Sequence, residues 1–436
     1  MNNAQHVQEL VARTPADRNR YVDLLRVFSI LVVVVGHWLM AVITIEGDGS
    51  VTGDNLLALV PWLQYLTWGL QVMPIFFIVG GFSNLASWES ARGKGVAYGT
   101  WLRGRMARLL RPTVAFAIVW TALTVVFAHL VRLDPETLEV GLTLVAVPVW
   151  FLAVYLLVIP AVPLMLALHR RFGALVPVGL IAIAAGIDVL VRDHGMTGIG
   201  YVNYVFVWLA VHQLGFFWRE RRISGFRTGA LLGSVGLGAL VVLSQAGLYS
   251  RSLLGIPGEE FGNTQPPTIM LMAVALFQLG IILAAERHMR SRLEDGRIWG
   301  WVIAANSMAM TVYLWHLPAM AFGVLGAQVS GLGLRGEALT AGWWLSRPFW
   351  ILILAAMTAP FVRLFAGIER TTPAPPVGSG AAAAVAGSVL AAVGLGLLAF
   401  EGFYRPDGFL GLAVVPLALL GTGAGLLGRL RISRAA

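Results

Sequence analysis

An arginine and a histidine in one apolar segment are the residues of this chain best suited to chemistry. Arg26 and His37 stand eleven positions apart in the run that follows Tyr21. On a helix this spacing is about three turns, or roughly 16 Å of rise, so both side chains point the same way. An ionisable side chain that deep in a bilayer is costly to bury and marks a candidate functional site. For this segment alone, the alternative is a histidine that hydrogen-bonds a neighbouring helix.

Two further apolar runs carry histidines. Tyr313 and His316 are three positions apart, so they share one face of a helix. His212 and Gln213 lie near the middle of another run, where polar groups often serve only to join helices. Three histidines at membrane depth are hard to explain by packing alone, which favours a functional role for at least some of them.

A basic segment lies just before the apolar run that starts near residue 112. On a helix, Arg105 and Arg108 of this segment would line one face. Guanidinium groups at a membrane surface suit a phosphate-bearing ligand. The same arginines could instead set the orientation of the chain in the membrane or contact anionic lipids.

The composition indicates a polytopic membrane protein. Hydrophobic residues make up 58% of the 436 residues and charged residues 12%, which is too little polar surface for a water-soluble globule. The net charge of +9 comes from short basic clusters between apolar runs, so we expect no nucleic-acid partner. The chain has no cysteine, which excludes disulfides and cysteine-ligated metals. We expect no metal site and no tightly bound cofactor.

The apolar runs predict an all-α bundle of about twelve transmembrane helices. The lipid bilayer is therefore one expected partner of the protein. Arginine clusters occur in alternate loops, and the positive-inside rule then places both termini in the cytoplasm. The predicted spans lie near 24–45, 60–88, 112–131, 146–168, 173–191, 202–218, 228–248, 267–286, 299–325, 342–366, 379–400 and 408–428.

This arrangement divides the chain into four predicted segments. They are a cytoplasmic N-terminal segment (1–20), a ten-helix core (21–366), a proline-rich cytoplasmic linker (367–378), and two C-terminal helices with a basic tail (379–436). Lys94 is the only lysine among 31 basic residues, which is typical of a GC-rich genome. The composition therefore favours a multi-pass protein of a bacterial cell membrane.

Five short motifs occur in register along the chain. They are Asp23-Leu-Leu-Arg26 with His37, residues 74–82, Arg105-x-x-Arg108, residues 149–152, and Tyr313-Leu-Trp-His316. Together they resemble the membrane acyltransferase family 3, whose members move acyl groups onto hydroxyls of sugars, glycans and other acceptors. The resemblance covers roughly residues 18–366. The segment 263–268 also resembles a subset of that family.

The resemblance implies an integral membrane O-acyltransferase whose co-substrate is acyl-CoA, by default acetyl-CoA. It implies that Arg105 and Arg108, together with Arg26, hold the phosphates of CoA. The acceptor would be a hydroxyl-bearing glycan, glycolipid or small molecule. Where many members have Ser-Gly-Phe, this chain has Gly-Gly-Phe at 80–82, so any role of that hydroxyl is absent or taken by Ser83.

The same resemblance gives His37 the central role, as general base for the acceptor hydroxyl or as a transient acyl carrier. Arg26 is the second residue expected in catalysis. His316 and Tyr313 are expected as hydrogen-bonding groups on the acceptor side or as donors to an oxyanion.

Two other functions fit parts of the sequence. A twelve-helix secondary transporter would also use intramembrane histidine and arginine, in a proton or substrate pathway. However, Asp188 is nearly the only intramembrane carboxylate, and no internal repeat is visible. A non-catalytic scaffold would not need Arg26 and His37 on one face. The sequence leaves the oligomeric state open, including a homo-oligomer.

Overall fold

The computed structural model of the chain describes residues 18–46, 50–259, 261–331, 337–370 and 380–428, together with residues 11, 14 and 334. Most of the predicted N-terminal segment 1–20, most of the predicted linker 367–378 and the basic end of the tail lie outside the described residues. The part of the chain that is described is predominantly helical.

The described helices are numbered in chain order. The first nine are α1 (Arg20–Met40), α2 (Leu56–Leu59), α3 (Thr67–Leu70), α4 (Met73–Gly93), α5 (Tyr98–Val125), α6 (Pro135–Ala146), α7 (Val149–Val158), α8 (Val162–Phe172) and α9 (Leu175–His194). The next nine are α10 (Thr197–Gly200), α11 (Asn203–Arg219), α12 (Gly225–Gln245), α13 (Met270–Arg292), α14 (Gly296–Asn306), α15 (Ala309–Ser330), α16 (Ala341–Arg370), α17 (Ala381–Glu401) and α18 (Val414–Leu426).

Shorter elements connect some of these helices. Single 3₁₀ turns or short 3₁₀ helices cover Pro61–Leu66, Ile159–Ala161 and Phe409–Gly411, and a π-helical turn covers Val126–Val131. Two strands, β1 (Ala41–Ile45) and β2 (Val51–Asn55), pair as a hairpin directly after α1.

The predicted all-α membrane bundle is confirmed. Within the described residues, eleven helical segments are long and apolar enough to cross a bilayer. The predicted last span, 408–428, is shorter than expected, because α18 has only 13 residues. At about 1.5 Å per residue it covers roughly 20 Å, less than the roughly 30 Å of a hydrocarbon core. The cytoplasmic location of both termini stays a prediction.

Several predicted spans have different bounds in the structure, and two of these differences affect the histidine-bearing helices. The first helix ends at Met40 rather than at residue 45, because Ala41–Ile45 forms β1. All but the first residue of that strand are β-branched, and such residues favour extended backbone. The predicted span 299–325 is divided between α14 and α15 at Ser307. The Ser307 hydroxyl donates to the carbonyl oxygen of Ala304 at 2.8 Å, a local bond typical of helix ends.

The basic segment before the third predicted span is helical. Helix α5 begins at Tyr98, so Arg105 and Arg108 stand on the same helix as the apolar run that follows them. Their three-residue spacing therefore places both side chains on one face. Pro112 lies inside α5, which membrane helices tolerate because neighbouring groups satisfy the freed carbonyl.

The chain forms two compact units. The first comprises residues 1–36, 54–87 and 162–307, and the second comprises 37–53, 88–161 and 308–436. In the first unit, α12 packs along α13, and α9 packs along α11. Gly233 and Gly280 meet so closely that a Cβ on Gly280 would overlap the backbone of Gly233. Such small residues let membrane helices approach each other without a side chain between them.

The second unit includes both C-terminal helices. Helix α17 packs along α18 and α7 and also contacts α5 and α6, while α15 packs on α16. Arg103 of α5 donates from Nη2 to the carbonyl oxygen of Gly380 at 2.9 Å, one residue before α17 begins. The C-terminal helices are therefore part of this packed unit. The four-part division expected from the sequence stays a prediction.

Candidate functional site

Two histidines of the second unit form a hydrogen-bonded pair. His37 lies in the last turn of α1, and His316 lies on α15. The Nδ1 atom of His37 is 2.7 Å from the Nε2 atom of His316. The two rings are nearly parallel, at 8°, with centroids 5.0 Å apart. His316 is fully buried and His37 is half-buried, so only His37 retains accessible surface.

The backbone determines which nitrogens of this pair carry protons. The Nδ1 atom of His316 lies 2.6 Å from the carbonyl oxygen of Tyr313. A carbonyl oxygen only accepts, so in neutral His316 the proton is on Nδ1 and Nε2 is the acceptor. His37 must then donate its Nδ1 proton to that acceptor. The Nε2 atom of a neutral His37 keeps a free lone pair, which can take a proton or attack an electrophile.

Further hydrogen bonds fix the helices that carry the pair. The buried indole of Trp38 donates from Nε1 to the carbonyl oxygen of His316 at 3.0 Å. The phenol of Tyr313 donates to the carbonyl oxygen of Pro148 at 2.7 Å, so its proton is engaged within the protein. The structure thus brings together His37, His316 and Tyr313, which the sequence selected from two distant segments.

Arg26 belongs to the first unit and takes part in a separate network. Its Nη1 atom donates to Oδ1 of Asp23 at 2.8 Å, and its Nη2 atom donates to the hydroxyl of Ser83. The other carboxylate oxygen of Asp23 accepts from Nε of Arg18 at 2.7 Å. The side chain of Asp23 is buried, and two guanidinium groups compensate its charge. The hydroxyl of Ser83, which follows the Gly-Gly-Phe run, therefore accepts a hydrogen bond from Arg26.

The paired arginines lie on α5 in the second unit. Arg105 is half-buried and Arg108 is exposed. Arg103, on the same helix, is buried and bonded to the carbonyl oxygen of Gly380. Arg103 thus contacts the backbone before α17, while Arg105 and Arg108 have accessible surface that can meet a phosphate group.

His212 and Gln213 connect helices within the first unit. The Nδ2 atom of Asn84 lies 3.1 Å from Nε2 of His212, and both side chains are buried. Gln213 reaches a backbone carbonyl of α8 at 3.5 Å. At the same crossing of α4 and α11, a Cβ on Gly81 or Gly215 would overlap the opposing backbone. These contacts fit the alternative in which polar residues only join helices.

Sequence reasoning missed the contacts that organise these residues. His37 and His316 are separated by 279 positions, and nothing in the spacing of either segment indicates that they meet. A second cluster surrounds Asp188 in the first unit, where its carboxylate accepts from Asn203 and Tyr249. The only available signal for these partners was their polarity within or beside apolar runs.

A model of a known protein family matches residues 19–362, which is most of the chain. That family is described as acyltransferase domain family 3. The matched region contains both members of the histidine pair, Tyr313 and the arginines of α1 and α5. Neither the curated proteins nor the solved structures include a significant match to the chain.

Proposed function

Because the chain belongs to acyltransferase family 3, we propose that it transfers an acyl group from acyl-CoA to a hydroxyl of a carbohydrate, glycolipid or similar acceptor. The family and the apolar helices make the protein a membrane acyltransferase. The finer proposal is supported above all by the free Nε2 lone pair of His37, which follows from its hydrogen bond to His316. The family also favours an enzyme over the transporter that the sequence left open.

In this proposal His37 acts as general base. Its Nε2 atom takes the proton of the acceptor hydroxyl while the hydroxyl oxygen attacks the carbonyl carbon of the thioester. The tetrahedral intermediate collapses, the carbon–sulfur bond breaks, and the leaving thiolate recovers the proton from His37. The products are an ester and free CoA. His316 supports the imidazolium because its Nε2 atom accepts the hydrogen bond from Nδ1–H of His37, as the buried partner of the catalytic histidine does in serine proteases.

The same lone pair would also serve a covalent route. In that route Nε2 of His37 attacks the thioester, which gives an acyl-imidazolium and the CoA thiolate. The acceptor hydroxyl then attacks the acyl group and leaves its proton on the imidazole, from which the thiolate recovers it. The two routes differ in one observable, because only the second forms an acyl-enzyme in the absence of acceptor.

Arg105 and Arg108 are the proposed contacts for the phosphates of CoA. Both have accessible surface and share one face of α5, and planar guanidinium groups bind phosphate through two parallel hydrogen bonds. Both terminal nitrogens of Arg26 already have partners in Asp23 and Ser83, so we assign Arg26 the positioning of those side chains. The contact between Arg26 and the phosphates of CoA stays a prediction.

The test is thiol release from acetyl-CoA by the purified full chain in detergent, with a panel of hydroxyl-bearing acceptors. We expect turnover by the parent, loss of turnover in His37→Ala, and a raised requirement for acetyl-CoA in Arg105→Ala. His288→Ala is the matched control, because His288 is exposed and outside the pair. An absence of thiol release by the parent with every acceptor, together with no binding of acetyl-CoA, would overturn the proposal.

A further inference from the structure

Asp188 and the segment 263–268 stand out in the sequence, yet the proposed acyl transfer uses neither. Both line one cavity of the first unit, which has a volume of about 850 Å³. Ligand sites in proteins commonly occupy roughly 300–1,000 Å³. The cavity is therefore large enough for a ligand of more than one ring.

Asp188 anchors one wall of this cavity. Its Oδ1 atom accepts from Nδ2 of Asn203 at 2.8 Å, and its Oδ2 atom accepts from the hydroxyl of Tyr249 and the backbone N–H of Ile269, each at 3.0 Å. Burial raises the pKa of the Tyr249 phenol, so this hydroxyl stays a donor. A carboxylate has about four acceptor positions, so three donors leave about one for a ligand.

The loop between α12 and α13 forms another wall and is held by its own side chains. Asn263 donates from Nδ2 to the carbonyl oxygens of Ser250 and Ser252 at 2.8 and 2.7 Å. Its Oδ1 atom accepts from the hydroxyl of Thr268 at 3.0 Å. Both ends of the 263–268 segment are thereby fixed. A ligand would enter a preformed site and would not have to order the loop on binding.

Both basic and acidic side chains line the cavity. Arg192 and Arg251 line it together with Asp188 and Glu259. The guanidinium of Arg192 is also held by Asp193, with Nε 2.8 Å from Oδ1. An ionic ligand would meet groups of both signs, so this balance favours an uncharged ligand that offers many hydrogen-bonding groups.

Aromatic faces complete the lining. Tyr201 and Phe261 are 49% and 42% exposed, and both line the cavity beside Gln64 and Glu259. Aromatic rings pack against the C–H faces of sugar rings, while amide, carboxylate and guanidinium groups pair with sugar hydroxyls in fixed directions. The lining thus offers both kinds of contact that a sugar ring makes.

We propose that this cavity binds a neutral carbohydrate, with sugar rings on Tyr201 and Phe261 and hydroxyls on Gln64, Glu259 and Arg251. The inference goes beyond the proposed transfer, because a sugar binds there whether or not its hydroxyl is the one that is acylated. Asp188 and Tyr249 position the site through their shared hydrogen bond.

The test is direct binding, without turnover. The full chain would be purified in an amine-oxide detergent, because detergents with sugar headgroups would compete. It would be applied to an array of neutral oligosaccharides and their sialylated and sulfated counterparts, and the strongest neutral ligand would be titrated by calorimetry. We expect at least one neutral glycan to bind. Tyr201→Ala should weaken that binding at least tenfold, and Glu259→Gln should also weaken it.

Two controls separate the possible outcomes. Tyr65→Ala removes a comparably exposed tyrosine, 39% against 49%, that does not line the cavity, and it should leave binding unchanged. His37→Ala should also bind the glycan normally, so failure of the transfer proposal would not affect this result. The inference is overturned if no neutral glycan binds, if the cavity variants bind like the parent, or if only lipid vesicles bind in a Tyr201-dependent way.

Discussion

His37 donates from Nδ1 to Nε2 of His316 over 2.7 Å, and His316 donates from its own Nδ1 to a backbone carbonyl over 2.6 Å. This short series of hydrogen bonds ends on the backbone, which cannot reverse its role as acceptor. The two imidazoles therefore differ in function although they are chemically identical. In the proposed mechanism His37 meets the substrate through Nε2, and His316 acts only through His37.

Removal of His316 should lower kcat and leave the KM for acetyl-CoA unchanged. His37→Ala removes the base itself, which typically costs about 10²–10⁴-fold in rate. His316→Ala removes an orienting partner, for which about 10–100-fold is expected. His316→Gln should recover part of the loss, because the amide oxygen can accept a hydrogen bond from Nδ1–H of His37. Steady-state thiol release measures all three, and equal losses in His316→Ala and His316→Gln would contradict the positioning role.

Arg26 and Ser83 should show energetic coupling. Ser83→Ala removes an acceptor for the Nη2 atom of Arg26, and a net loss of about 0.5–1.5 kcal/mol is typical for one hydrogen bond. In an Arg26→Met background the same substitution should cost less, because the donor is already absent. Thermal unfolding of the two single variants and the double variant in one detergent gives the cycle. Additive shifts in Tm would show that the two side chains do not interact in solution.

The crossing of α4 and α11 should not tolerate a methyl group. Gly81→Ala would place its Cβ against the carbonyl oxygen of His212, which is backbone and cannot rotate away. Overpacking of this kind costs about 1–3 kcal/mol or more. We expect a lower Tm and loss of the monodisperse species in size-exclusion chromatography. Gly104→Ala, where nothing lies within 4 Å of the added Cβ, is the control and should behave like the parent.

Much of the fold was predictable because hydropathy determines where a membrane helix can lie. The pattern also placed Tyr313 and His316 on one face, since residues three apart on a helix are neighbours. It did not predict the end of α1 at Met40, where the β-branched run 42–45 continues the apolar pattern but forms a strand. Hydropathy does not distinguish a buried strand from one more turn of a membrane helix.

The contacts within the candidate sites were less predictable. Periodicity tells which side chains share a face, but not which other helix that face meets. The pairing of His37 with His316 and the donation from Tyr249 to Asp188 both join segments far apart in sequence. The spacing of residues along the chain carries no information about such contacts. The sequence therefore indicated each of these residues as a candidate, but not which residues pair with each other.

Two arginines of α5, Arg103 and Arg108, should respond differently to substitution. Arg103 is buried and donates to the carbonyl oxygen of Gly380, so Arg103→Met should lower the Tm and leave the KM for acetyl-CoA near that of the parent. Arg108 is exposed, so Arg108→Met should leave the Tm unchanged and raise KM if it contacts a CoA phosphate. Comparison of acetyl-CoA with an acetyl thioester that lacks the nucleotide tests the assignment directly. If Arg108→Met raises KM equally for both donors, then this arginine does not bind the phosphates.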